Sequence, residues 1–157
     1  MEYFRSYKDK ARHIIEHNLY MSLSTSDRDG RPWVATVLYV FDKKYDFYFV
    51  SAIDSLHAKS ILTNYNVAFS IYNSNQPIGS MEEVQAIGTA KPVEGNGIYK
   101  AMALYAQKLS PAFNIRKISY NWNAINYKYP SEFRFFKISL SKIFTTGGEN
   151  RRVEVEL

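Results

Sequence analysis

The residues best suited to chemistry lie in one short segment, from Ser51 to Lys59. Ser51, Ser55 and His57 can donate hydrogen bonds, and Lys59 adds a full positive charge. Asp54 or Ser55 would cap a helix that starts here, and the first backbone N–H groups of a helix are unpaired and attract anions. These groups together could bind a phosphate. They are equally consistent with a capped surface helix and a solvated lysine, so the segment alone leaves both interpretations open.

A second set of candidate ligands lies near the N-terminus, where His13 and His17 are four positions apart. On a helix this spacing places both imidazoles on one face, where they could share a zinc ion. With Glu16 they form a His-x-x-Glu-His pattern found in one class of metallopeptidases. No clear downstream helix supplies a further carboxylate ligand, and the segment opens a β-rich chain. We therefore expect no metal site.

Basic and aromatic residues are interleaved in residues 96–131, which contain five Lys or Arg and no acid. Such a mixture can bind single-stranded nucleic acid by base stacking and phosphate contacts. A helix that buries its aromatic stripe and exposes its basic face has the same composition. We favour the second interpretation, because aromatic stripes at helical spacing usually pack inward.

The composition limits the class of protein. The chain has 157 residues, of which 46% are hydrophobic, enough for one domain with its own core. It has no cysteine, which excludes disulfides, thiolate metal sites and cysteine nucleophiles and fits a reducing cytoplasm. The first residues are polar, and no apolar run approaches the roughly 18 residues of a membrane span. We expect a single cytoplasmic domain over residues 1–157.

The charge is unevenly distributed along the chain. Residues 1–95 carry ten basic and eleven acidic groups, and residues 96–157 carry ten basic and four acidic groups. The net charges are therefore −1 and +6. The basic second part favours an anionic ligand or partner.

The hydrophobic periodicity predicts a mainly β fold with helices inserted between hairpins. The predicted helices cover about 2–17, 55–64 and 98–109, and the predicted strands cover about 19–26, 33–41, 45–51, 67–72, 84–93, 133–144 and 153–157. The connection at 42–44 is too short for a parallel crossover. We therefore predict a six- to seven-stranded antiparallel split β-barrel.

The predicted strand from Trp33 to Phe41 is apolar on both faces. One face belongs in the barrel core, and the other must be covered by a helix or a second subunit. The second face could form a slot for a flat ligand or could simply pack on the first helix. Both can hold at different points along the strand.

The order and spacing of several short motifs resemble the pyridoxamine 5′-phosphate oxidase-like FMN-binding superfamily. That superfamily has a Gly-x-Pro before its second strand, then an aromatic strand, an acidic-Ser-Arg-Lys helix start, an Asn-Pro-x-Val strand start and a strand ending in Gly-x-Ala. The corresponding segments here are Gly30–Pro32, Phe47–Ser51, Asp54–Lys59, Asn64–Val67 and Gln85–Ala90.

The resemblance implies a homodimer with FMN in clefts at the subunit interface. It also implies that the protein is an FMN-dependent oxidoreductase, which transfers hydride or electrons to a small molecule. It implies that the backbone of four strand residues lines the flavin ring, and that a second group holds the ribityl chain and the phosphate. The first group is Ala35, Thr36, Val37 and Leu38, and the second is Val50, Ser51, Ser55, His57 and Lys59. By its position in the matching strand, Gln85 would be a further contact of the cofactor. Residues 96–131 would form a lid, in which Trp122 covers the flavin ring.

The sequence departs from the oxidase itself at three of these positions. Leu56 and Ala35 stand where the oxidase has arginines, and His57 stands where it has a lysine. Arg151 and Arg152 do not lie in the oxidase's substrate-binding context. The resemblance therefore favours a relative of the oxidase, and no side chain is assigned as a general acid or base.

Two alternatives stay open. The first is a non-catalytic flavin or haem binder, in which His13, His17 or His57 would be the axial ligand of a haem. The second is a basic β-barrel that binds nucleic acid.

Overall fold

The fold is described from a computed structural model of residues 4–79, 81–109 and 132–157. The helices there are α1 (Tyr7–His17), α2 (Leu56–Thr63) and α3 (Gly97–Leu109). The strands are β1 (Tyr20–Ser26), β2 (Pro32–Phe41), β3 (Phe47–Ala52), β4 (Asn66–Tyr72), β5 (Glu83–Pro92), β6 (Phe133–Thr146) and β7 (Arg152–Glu154).

Six of the strands form a closed antiparallel barrel. The strand order is β3-β2-β1-β4-β5-β6, and β3 also pairs with β6, which closes the ring. The 14-residue β6 is long enough to pair with β5, with β3 and, at its far end, with β7. The predicted fold class, a mainly β antiparallel split barrel with inserted helices, is confirmed.

Two apolar clusters hold the barrel and its helices together. The barrel core contains the fully buried rings of Tyr39, Phe47, Phe49 and Phe136, and α1 adds Ile15 to it. Burial of large aromatic side chains makes a major contribution to core stability.

The second cluster lies between α3 and the outer face of the barrel. Ala101 and Tyr105 of α3 pack there on Val40, Tyr48 and Phe135. The outer face of β2 is therefore covered at Leu38 and Val40 by α3, rather than by the first helix, which was one of the two alternatives. Val34, nearer the start of β2, is 60% exposed.

Two predicted boundaries differ from the structure because side chains satisfy backbone groups locally. α1 begins at Tyr7 because Ser6 caps it, accepting a hydrogen bond from the N–H of Asp9 at 3.1 Å. β3 begins at Phe47, since the Asp42 carboxylate accepts the N–H groups of Lys44 and Asp46 and holds them in a loop. Further shifts occur at the ends of β6 and β7, where β6 runs on to Thr146 and β7 ends at Glu154.

Gly88 in β5 lies too close to β6 to carry a side chain. The β5–β6 register shifts between Ile87 and Gly88. A Cβ atom at Gly88 would lie 2.3 Å from the carbonyl oxygen of Ser139. The bulge therefore requires glycine.

Candidate functional site

The barrel is open between β2 and β3, and this opening is the candidate site. The two strands pair only from Tyr39–Phe49 to Phe41–Phe47. Beyond these pairs β2 continues along β1 to Pro32, while β3 continues along β6 to Ala52. The opening is therefore flanked by residues 35–38 on one side and 50–52 on the other, so that the residues predicted to contact a flavin ring and those predicted to contact its phosphate lie on opposite sides.

Tyr105 of α3 bridges the two strands where they separate. Its hydroxyl donates to the carbonyl of Leu38 at 2.8 Å and accepts from the N–H of Val50 at 3.2 Å. Leu38 and Val50 are the residues that would form the next pair if the β2–β3 ladder continued. The phenol therefore satisfies two backbone groups that the opening would otherwise leave unpaired.

A compact polar cluster forms where β3 ends and α2 begins. The Ser51 hydroxyl lies 2.6 Å from Nε2 of His57 and 3.0 Å from the Ser55 hydroxyl. Ser55 donates to the carbonyl of Ala52 at 2.8 Å and caps α2 by accepting the N–H of Ala58. The structure thus brings Ser51, Ser55 and His57 together.

The remaining groups at the start of α2 suit an anion. The first intrahelical bond runs from the N–H of Lys59 to the carbonyl of Ser55, so the N–H groups of Leu56 and His57 precede the helical ladder. The Lys59 side chain is exposed one turn into the helix. Burial lowers the pKa of His57, so its ring is neutral near pH 7. Serine hydroxyls, free amides and a lysine are a donor set that fits a phosphate monoester.

Arg134 of β6 is a candidate that the sequence did not reveal. It is the direct cross-strand partner of Ser51 in the β3–β6 ladder, so the two side chains lie on the same face. Arg134 therefore adds a basic residue to the face of the cluster, whereas Leu56 at the arginine position of the oxidase is an exposed apolar residue. Only the register between strands about 80 residues apart could have identified Arg134.

Gln85 lies away from the opening, on the outer face of the barrel. It pairs with Ser70, and its amide contacts Glu83 and Arg152. A recess of about 470 Å³ on this face is lined by Gln85 and Val34 among others. Within one chain, Gln85 therefore does not join the other predicted contacts, and Trp122 lies outside the described residues.

The outer face around Gln85 carries small side chains at its centre, on β1 and β4. Ladder pairs align Val34, Ser24, Ala68 and Ile87 in one row across β2, β1, β4 and β5. A second recess of about 460 Å³ lies beside this row. This outer face, centred on Ser24 and Ala68, has little to obstruct close approach of another surface.

His13 and His17 lie together on α1, away from the opening. Their rings stack with centroids 4.0 Å apart, and Nδ1 of His17 hydrogen-bonds to the carbonyl of His13 at 2.9 Å. Among residues 4–79, 81–109 and 132–157, no three or more His, Cys, Asp or Glu side chains are placed to hold a metal ion. In the same ranges, no helix is long and apolar enough to cross a membrane.

Solved structures with the same fold are similar to the chain at low sequence identity. A haem binding protein from Mycobacterium smegmatis has a TM-score of 0.75 at 18% identity, over 98% of this chain and 59% of its own. HutZ, the haem storage protein from Vibrio cholerae, has a TM-score of 0.71 at 14% identity, over 89% and 95% of the two chains. ChuZ from Campylobacter jejuni has a TM-score of 0.76 at 13% identity, over 99% and 61%.

Comparison at the sequence level identifies the family. No curated protein matches the chain significantly. The family model described as pyridoxamine 5′-phosphate oxidase matches residues 7–147, most of the chain. The chain therefore belongs to the pyridoxamine 5′-phosphate oxidase family.

Proposed function

We propose that this member of the family binds FMN and is an FMN-dependent oxidoreductase acting on a small molecule. The observation that carries the proposal is the opening between β2 and β3, which places the strand edge at residues 35–38 opposite the polar cluster of Ser51, Ser55 and His57. A flavin nucleotide needs these two surfaces at once, a flat strand edge for its ring and an anion site for its phosphate.

The phosphate would be held at the start of α2. Ser51 and His57 would donate hydrogen bonds beside Ser55, the helix cap. The N–H groups of Leu56 and His57 would add fixed dipoles, and Lys59 would add charge. Val50 borders this region beside Tyr105. Bound FMN would supply the hydride- and electron-transfer chemistry, and the protein would supply its orientation and electrostatic environment.

We further propose that two copies of the chain associate through the outer face centred on Ser24 and Ala68. Exposed Val34 and the small side chains beside it give a surface that a second subunit can approach closely. In that arrangement Gln85 would contact the FMN of the other copy, consistent with its place outside the opening of its own chain.

The oxidase reaction itself is not part of the proposal. Leu56 is 54% exposed and apolar where the oxidase has an arginine, and Ala35 replaces another arginine. Arg152 is engaged with Glu83 and Gln85, which ties it to the β5–β7 region. A related flavin reaction with another substrate fits these residues better.

Haem binding is the second candidate, because two structural neighbours are named as haem-binding or haem storage proteins. Its candidate axial ligands would be His13 or His17 on α1, or His57 after release from Ser51. FMN and a haem ligated by His57 would occupy the same opening. One chain therefore cannot bind both there at the same time.

The absorbance spectrum of the purified protein separates these functions. Flavin bands in the near-ultraviolet and blue, retained after gel filtration, would support FMN binding. A Soret band would instead support the haem alternative. Absence of both, with salt-dependent binding of RNA or DNA, would overturn both in favour of the nucleic-acid alternative.

A further inference from the structure

The polar cluster at the start of α2 has its hydrogen-bonding capacity already satisfied within the protein. The Ser55 hydroxyl donates to Ala52 and accepts from Ala58. Ser51 and His57 share a hydrogen bond of 2.6 Å, and Ser51 also lies 3.0 Å from Ser55. Within this cluster, the donors that a phosphate would need are directed at protein acceptors.

Protonation of His57 changes this arrangement. A neutral imidazole has one N–H donor and one acceptor nitrogen, whereas an imidazolium has two donors and a full positive charge. In the neutral tautomer with its proton on Nδ1, Nε2 accepts a hydrogen bond from Ser51; once both nitrogens carry protons, it no longer can. The Ser51 hydroxyl and the ring can then both donate to an incoming anion, and the added charge favours a dianion.

The charged groups around His57 do not already provide the second N–H donor and the positive charge that protonation of its ring would add. On the α2 side they are Asp54 before the helix and Lys59 one turn into it; on the β6 side they are Arg134, across from Ser51, and Glu132, whose carbonyl accepts from Ile53. β1 and β2, which also pack on α2, carry no charged side chain. β5 carries Glu83, which pairs with Arg152, and Lys91, which lies over the Tyr65 ring. No described group forms an ion pair with His57 at the distances seen elsewhere in the chain.

We propose that a dianionic phosphate monoester binds at the start of α2 together with one proton, which is taken up by His57. This rests on the proposed function, in which the monoester is the phosphate of FMN. The family's lysine would be charged before and after binding, so His57 in that position makes affinity depend on pH. His57 is then the residue that sets the pH range over which the cofactor is held.

The direction of the pH dependence follows from the burial of His57. Burial keeps the pKa of the free ring low, and a bound dianion raises it. Between those two values each binding event takes up a proton, and the dissociation constant rises up to tenfold for each unit of pH. The phosphate loses its own second proton at about pH 6, so the effect is cleanest from about pH 7 to about pH 8.5.

Calorimetric titration of the full chain with FMN tests the proposal without any activity assay. Titrations near pH 7.5 in buffers with different ionisation enthalpies measure the number of protons taken up. We expect uptake of up to one proton per FMN, and an affinity that weakens by up to tenfold between about pH 7.5 and about pH 8.5. Riboflavin, which lacks the phosphate, should bind with no proton uptake.

Two variants make the interpretation specific. His57→Lys should bind FMN with little pH dependence over this range, since lysine is charged throughout, and His57→Gln should bind weakly and also without pH dependence. Tight FMN binding by the natural chain with no proton uptake would overturn this inference and leave the proposed function intact. Failure to bind FMN at any pH would overturn both.

Discussion

At the scale of single residues, the start of α2 combines roles in folding and in the proposed binding. Ser55 is the helix cap, and the same hydroxyl lies in the cluster with Ser51 and His57. Such local features can be predicted from sequence, because a cap and the residues just after it are fixed by their spacing. Arg134 could not be predicted in the same way, since its position beside Ser51 depends on a long-range register.

The first prediction concerns the charges at this helix start. The double variant His57→Ala, Lys59→Ala should weaken FMN binding about tenfold or more, because each charge-assisted hydrogen bond contributes about 1.5–3 kcal/mol. Riboflavin binding should change little. Fluorescence titration with both ligands measures the difference.

A matched control removes a lysine that lies elsewhere. Lys43 is exposed in the β2–β3 loop. Lys43→Ala therefore removes a lysine charge without changing α2. Equal losses of FMN and riboflavin affinity in the double variant would refute phosphate recognition by these two residues.

At the scale of elements, the opening between β2 and β3 is the feature that sequence patterns missed. The hairpin itself was predictable from two β-rich segments around a short polar loop. The point where its pairing ends was not, because β3 pairs along its whole length with β6, a strand that is distant in sequence. Tyr105 was visible only as one aromatic in a basic segment, since its partners are backbone groups on two other elements.

The second prediction follows from this bridge. Tyr105→Phe keeps the ring in its apolar cluster but removes the hydroxyl that pairs the Leu38 carbonyl and the Val50 N–H. We expect a loss of about 1–3 kcal/mol in the free energy of unfolding, the cost of buried polar groups left unpaired. Urea denaturation measures it. Tyr99→Phe, at a tyrosine that is 71% exposed, is the control and should have little effect on the free energy of unfolding. An equally small effect of Tyr105→Phe would show that the bridge is unimportant.

The third prediction concerns the attachment of α3 to the β2–β3 loop. The buried Asp42 carboxylate accepts from Lys100 of α3 and from the N–H groups of Lys44 and Asp46. Burial alone would raise the pKa of Asp42, but these hydrogen bonds outweigh it and lower the pKa below its ordinary value. Asp42 therefore stabilises the fold above its ordinary pKa near 3.8 and loses this contribution as the pH falls through the lower folded value.

The variant Asp42→Asn tests whether the stabilising contribution of Asp42 is lost as the pH falls. It should lower the free energy of unfolding by about 1 kcal/mol at neutral pH, and its difference from the natural chain should shrink below about pH 4. Urea denaturation at both pH values measures the difference. A penalty that stays constant, or grows, as the pH falls would contradict the assignment.

At the scale of the whole molecule, the outer face centred on Ser24 and Ala68 determines the proposed assembly. The alternation of small outward and large inward residues along β1 and β4 was visible in the sequence, but the sequence did not show that four strands align them into one surface. Family resemblance, rather than any single pattern, supplied the expectation of a dimer.

The fourth prediction is that an arginine in the middle of this face separates the subunits. Ala68→Arg should convert a dimer to a monomer in analytical ultracentrifugation and weaken FMN binding with it, because the introduced charge would have to be buried without a partner. Ser74→Arg, in the exposed β4–β5 loop, should leave both properties unchanged. A natural chain that is monomeric and still binds FMN tightly would refute the shared site.

The central claim is that the start of α2 recognises the phosphate of a flavin nucleotide. Equilibrium titration of the cofactor-free protein with FMN and with riboflavin, under identical conditions at about pH 7, tests it most directly. The account predicts one FMN per chain, bound at least about a hundredfold more tightly than riboflavin, since about 3 kcal/mol of phosphate contacts would be lost. Equal affinities for the two, or no binding of either, would contradict it.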